Sequence, residues 1–85
     1  MPDRVHDLKT WPEAWEAVCA KRKLFEYRKD DRDFRLGDIL RLNWWCPVKR
    51  EYNGSAVLVK ITYIVRGPDF EVPDGYCVMS IDKDW

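Results

Sequence analysis

Apolar and polar positions alternate along most of this chain with a period of two, and only one segment near the start has a longer period. Residues 4 to 9, RVHDLK, read as a short first strand. TWPE then offers Thr10 as helix N-cap, Pro12 in the first turn and Glu13 as capping-box partner. Trp11, Ala14, Trp15, Val18 and Cys19 recur at spacings of three and four, which predicts a helix ending near residues 20 to 23 with this stripe, Trp11 and Trp15 included, against the core.

Beyond the helix the period shortens. In residues 24 to 29, Phe25 and Tyr27 share one face of a strand while Leu24, Glu26 and Arg28 share the other. After Gly37-Asp38, a turn signal, Leu40, Leu42 and Trp44 alternate with Arg41, Asn43 and Trp45, which predicts another strand with Trp45 as its exposed ring. The segment CPVKREYNG, with Pro47 and Asn53-Gly54, reads as a loop or hairpin tip. SAVLVKITYIVR is the longest strand, with Val57, Val59, Ile61, Tyr63 and Val65 on one face. GPDFEVPDG is a loop, and YCVMSID a last strand. One helix followed by short, regularly spaced strands predicts an α+β, mostly β fold: a small five- to six-stranded β-barrel, closed on itself, with the helix over one opening. Residues 1 to 85 are expected to form a single domain.

Composition narrows the function classes. Fifteen basic and fifteen acidic residues cancel, so the chain lacks the overall positive field of a nonspecific duplex-DNA binder, and any nucleic-acid contact has to be local. Cys19, Cys46 and Cys77 are odd in number and widely spaced, without a C-x-x-C pair beside the single His6, which argues against a disulfide framework, a metal site or a cofactor built on one. The N-terminus has no apolar signal core, and no apolar run approaches the ~20 residues of a membrane span, so a cytoplasmic protein without membrane attachment is expected.

The chemistry concentrates in KLFEYRKDDRDF, where eight of twelve side chains are charged. Glu26 and Arg28 form either an ion pair on a solvated strand or the wall of a ligand site, since a guanidinium held by a carboxylate is a rigid donor fork suited to phosphate or a base edge. Asp30 and Asp31 suit a turn in which their carboxylates bond nearby backbone amides. Arg32, set among aspartates, reads as held by them and aimed at a cleft. His6 is either a packed strand residue or, with Lys9 near the helix start, part of the rim of an anion site. Trp45 is placed to stack on a base, or to cover a protein interface.

The stretch AKRKLFEYRKDDRDFRLGDIL resembles the ASCH domain of the PUA-like superfamily, whose signature runs G-x-K-x-x-E-x-R followed by a G-D pair. Lys23, Glu26 and Arg28 match the last three signature positions, and Gly37 with Asp38 matches the pair. HDLKTWPEAWEAV, RKDDRDFRLGDIL and DGYCVMSI extend the likeness to a short bacterial and phage branch over nearly the whole chain. Lys21 stands in place of the signature glycine, and Trp44 and Cys46 in place of acidic residues of related chains. The resemblance implies a PUA-like β-barrel with a cleft beside the helix that binds single-stranded RNA or a nucleotide, here lined by Lys9, Lys23, Glu26, Arg28 and Arg32. Some ASCH proteins are amidohydrolases that deacylate a modified cytidine with a lysine and, three residues on, a threonine. Glu26 occupies that second position and cannot attack as an alkoxide does. An enzyme, amidohydrolase or ribonuclease, with Lys23 and Glu26 as acid-base pair is therefore the first alternative. A phage-type accessory protein binding a host protein, or forming a homodimer, through Trp45 is the second.

Overall fold

The computed structural model describes residues 4–85. Strand β1 (Val5–Thr10), helix α1 (Pro12–Cys19), strands β2 (Phe25–Lys29), β3 (Ile39–Cys46) and β4 (Glu51–Arg66), a turn at Asp69–Glu71 in which Phe70 and Glu71 are left-handed, and strand β5 (Tyr76–Asp82) follow one another. The five strands form one sheet in the order β1-β3-β4-β5-β2. β1 runs parallel to β3, and all other neighbours are antiparallel.

The sheet curls into a half-barrel rather than the closed barrel the strand spacing predicts: no backbone ladder joins the end strands β1 and β2. Guanidinium groups bridge them instead. Arg28 on β2 donates to the Lys9 carbonyl (3.1 Å) and the Thr10 hydroxyl (3.2 Å) on β1, and Arg32 donates to the Asp7 carbonyl (2.6 Å). Such bridges supply the acceptors of an unpaired edge with donors and leave a gap between strands, which a ladder would not.

Inside the curl lie Leu8, Leu40, Leu42, Val59, Ile61 and Met79, with Phe34 and Val18 of α1. The helix is anchored by Trp15, whose indole N–H donates to the Leu42 carbonyl at 3.0 Å. Its start differs from the sequence expectation. Trp11, extended, occupies the N-cap with no side-chain cap, because Thr10 still belongs to β1 and is buried in the seam. Trp11 therefore leaves the core stripe and is 62% exposed. At the other end, the amides of Lys21 and Arg22 bond the carbonyls of Val18 and Ala17, a Schellman closure that puts Lys21 at φ 60° where glycine is at ease.

Two register shifts account for the other departures. Asn53-Gly54 is not the hairpin tip; residues 47–50 make that turn, and Asn53-Gly54 lies within β4 as a bulge opposite Trp44. There Gly54 takes φ 87° and the Asn53 carboxamide accepts the Ser55 amide at 2.9 Å. A second bulge falls between Ile61 and Tyr63. It inverts the alternation, so Ile64 packs on the core while Tyr63 points outward.

Candidate functional site

In β2 the usual polarity is reversed. Glu26 is 2% exposed and Arg28 half-buried, while Phe25 and Tyr27 face outward. The register explains the direction: Glu26 pairs with Met79 and Arg28 with Cys77, both buried, so the charged side of β2 continues the inner face of β5. A buried carboxylate is tolerated only with partners. Glu26 has two: Oε1 accepts Nε (2.8 Å) and lies 2.7 Å from Nη2 of Arg28, and Oε2 pairs with the Lys23 ammonium. Lys23 also donates to the Phe25 carbonyl at 2.7 Å. The segment after the Schellman turn thus folds the lysine back over its own strand.

This triad forms the floor of an open cleft of about 260 Å³ between the start of α1 and β2, walled by Lys9, Thr10, Trp11, Ala14 and Tyr27. Lys23 and Arg28 bracket the one carboxylate and Lys9 stands at the rim, its ammonium over the Trp45 ring, so cationic side chains outnumber acidic ones along this hollow in a chain of zero formal charge. Arg28 already uses Nε on Glu26, Nη1 on Lys9 and Nη2 on Glu26 and Thr10. Of its five N–H donors one is left, so it positions the floor more than it grips a ligand. Lys9, exposed at the rim, and Lys23 carry the remaining positive character.

Of the residues singled out in the sequence, the cleft brings together Lys9, Lys23, Glu26 and Arg28. The other three lie outside its lining. His6 sits on the far part of β1, with Nε2 2.8 Å from the Asp38 carboxylate and its ring edge-on to Phe34 at 4.8 Å. It is a packed strand residue and forms no rim with Lys9. Asp38, buried, also accepts the Arg35 amide at 3.1 Å, so the G-D pair builds the turn before β3 and ties it to β1. Arg32 turns to the β1 backbone rather than into the cleft, because the Asp7 carbonyl offers a closer partner than Asp31 at 4.0 Å. The Asp30 carboxylate pairs with Arg66 (2.5 Å) in place of a turn amide, which holds the Arg66 guanidinium even more firmly protonated than usual. Trp45 is half-buried, not exposed, because the opposing bulge lets both Trp44 and Trp45 tuck in; Lys9 Nζ lies 4.5 Å over its ring.

Sequence reasoning missed Trp11, Thr10 and Tyr27. The signal for Trp11 was its place directly before Pro12, which favours the first helical turn and so puts Trp11 at the N-cap, ahead of the helix's apolar stripe. Around the site, Asn43 and Arg41 hold the Asp7 carboxyl below its ordinary range, and burial pushes the Cys77 thiol up, so Cys77 stays protonated behind Arg28. Among the described residues no group of histidine, cysteine and carboxylate side chains is arranged to hold a metal ion. No helix among them is long and apolar enough to cross a membrane.

Residues 5–81 match the family described as Domain of unknown function (DUF3850). The chain belongs to this family. Over 62 residues it is also 32% identical to a protein of Escherichia phage P2 described as "Uncharacterized 12.9 kDa protein in GpA 3'region". That match covers 73% of this chain and 55% of the phage protein, so the chain spans little more than half of that relative's length. The DUF3850 match takes in β1 through β4, all of β5 but Asp82, and every cleft residue.

Proposed function

We propose that this DUF3850 chain is an ASCH-like module of PUA-like type that binds a nucleotide unit, free or within single-stranded RNA, in the cleft between α1 and β2. The observation that carries the reading is the convergence of Lys9, Lys23 and Arg28 with the exposed Trp11 on one hollow whose carboxylate is already paired. A positive hollow attracts phosphate, and the Trp11 ring offers a face on which a base stacks, worth ~1–3 kcal/mol. About 260 Å³ is room for one such unit. Signature residues Lys23, Glu26 and Arg28 serve this reading as a pre-formed floor. The enzymatic alternative uses the same Lys23–Glu26 contact as its acid–base pair, and turnover of acylated cytidine or labelled RNA by wild type, lost in Lys23→Ala, would mark it.

Titration of a short labelled single-stranded RNA, and separately of cytidine monophosphate, at low and physiological salt tests this. Lys9→Ala and Trp11→Ala are the informative variants, because both residues are exposed, whereas removing Arg28 would disturb the seam. The wild type should bind, with a log–log salt slope of about −1.4 for two phosphate contacts that Lys9→Ala reduces by roughly half. Trp11→Ala should weaken binding about tenfold. Absence of binding at low salt, or two variants that bind like wild type, contradicts the proposal.

A further inference from the structure

The reversed polarity of β2 has a second face. Rings that a half-buried strand would normally turn inward lie on the outside of the sheet, where antiparallel sheets usually present polar residues. Paired residues share a face, so the outer rows read Phe25–Ser80–Tyr63 and Tyr27–Val78–Val65, with Tyr76 beside Lys29. The four rings Phe25, Tyr27, Tyr63 and Tyr76 are between 38% and 63% exposed. Tyr27 and Tyr76 stack with centroids 5.4 Å apart and planes 19° from parallel, a short aromatic column that a further ring can extend.

This face is continuous with the cleft across the edge strand. Tyr27 belongs to both, and the Lys23 ammonium, which pairs with Glu26 on the cleft floor, also lies 4.8 Å over the outer ring of Phe25. The exposed ring area is about 400 Å², taking ~200 Å² per side chain. A stable dimer needs roughly 800 Å² per partner, so a second copy is poorly served. Two or three bases stacked on a row of rings need no more than this.

We infer that the outer face of β2, β5 and β4 is a second nucleic-acid subsite, and that the ligand is a single-stranded oligonucleotide running from the cleft over the edge of β2 onto these rings. The inference rests on the cleft reading above and specifies its substrate class: an oligonucleotide rather than a mononucleotide.

The test compares a short single-stranded RNA with cytidine monophosphate on wild type and on Tyr63→Ser/Tyr76→Ser, with Tyr63→Ser alone as the variant should the pair fail to fold. Wild type should hold the RNA roughly tenfold or more tighter than the mononucleotide. The double variant should lose that advantage while its mononucleotide affinity stays unchanged. RNA affinity unaltered in both tyrosine variants, with Trp11→Ala still weakened, overturns the subsite and leaves the cleft standing. RNA binding that depends on Tyr63 and Tyr76 but not on Trp11 or Lys9 removes the cleft and with it the inferred path from cleft to face, leaving the face as a separate site. A dimer in sedimentation that the tyrosine variants dissociate assigns the face to a second copy and overturns the inference.

Discussion

Glu26 is the residue on which the charged strand depends. Its carboxylate is out of water and balances two cations, and removing one member of such a group leaves the others buried without compensation, at a cost of several kcal/mol. Glu26→Gln should therefore lower stability by about 3 kcal/mol, read as a reduced urea midpoint at unchanged m-value. Lys21 is strained in the opposite sense. At φ 60° it holds a closure that glycine fills without steric cost, so Lys21→Gly should raise Tm by a few degrees in a thermal melt. Cys77 adds a pH dependence. Its thiol is raised in the fold relative to the unfolded chain, so the unfolded chain releases its proton first, and this contribution is complete below the ordinary thiol range and declines as pH rises through it. Stability should fall on the alkaline side in wild type and fall less in Cys77→Ala, compared by denaturant titration across that range. The side-by-side placement of Glu26 and Arg28 was legible from their spacing of two. That this side faces inward was not a local property, since Phe25 and Tyr27 compete for it; the buried partners on β5 decide it.

At the scale of elements, the seam between β1 and β2 is the unusual contact, held by Arg28 and Arg32 through side-chain donors to strand acceptors. Arg28→Ala should speed amide hydrogen exchange in β1 and β2 while leaving β3 and β4 protected. Equal acceleration in all strands would mean that the seam is not a separate unit. A second element-scale constraint is Gly67, where any Cβ would run into the Pro73 carbonyl of the loop before β5. Gly67→Ala should cost about 2 kcal/mol by calorimetry, as overpacking against backbone does. The strands themselves were readable, because Val57, Val59 and Ile61 alternate cleanly into the core. The bulges were not. Asn-Gly serves a hairpin turn and a bulge equally well, since both need a positive φ, and only the partner strand distinguishes them.

The whole molecule combines zero formal charge with a locally positive hollow, and an open sheet with a bridged seam. Composition had left only local nucleic-acid contact open, and the cleft is local: Lys9 and Trp11 reach it from the β1–α1 junction, Lys23 and Arg28 from β2 and the turn before it. Long-range convergence of this kind has no signature in spacing, which is why Trp11 was missed and His6 and Arg32 were placed too close. The most direct measurement is a fluorescence-anisotropy titration of a labelled short single-stranded RNA at low salt, with Trp11→Ala and Lys9→Ala in parallel. Saturable binding that weakens with salt and is reduced about tenfold by Trp11→Ala is the predicted result. A protein that binds no RNA or nucleotide at low salt, or one whose affinity ignores both substitutions, would contradict the assignment of the cleft.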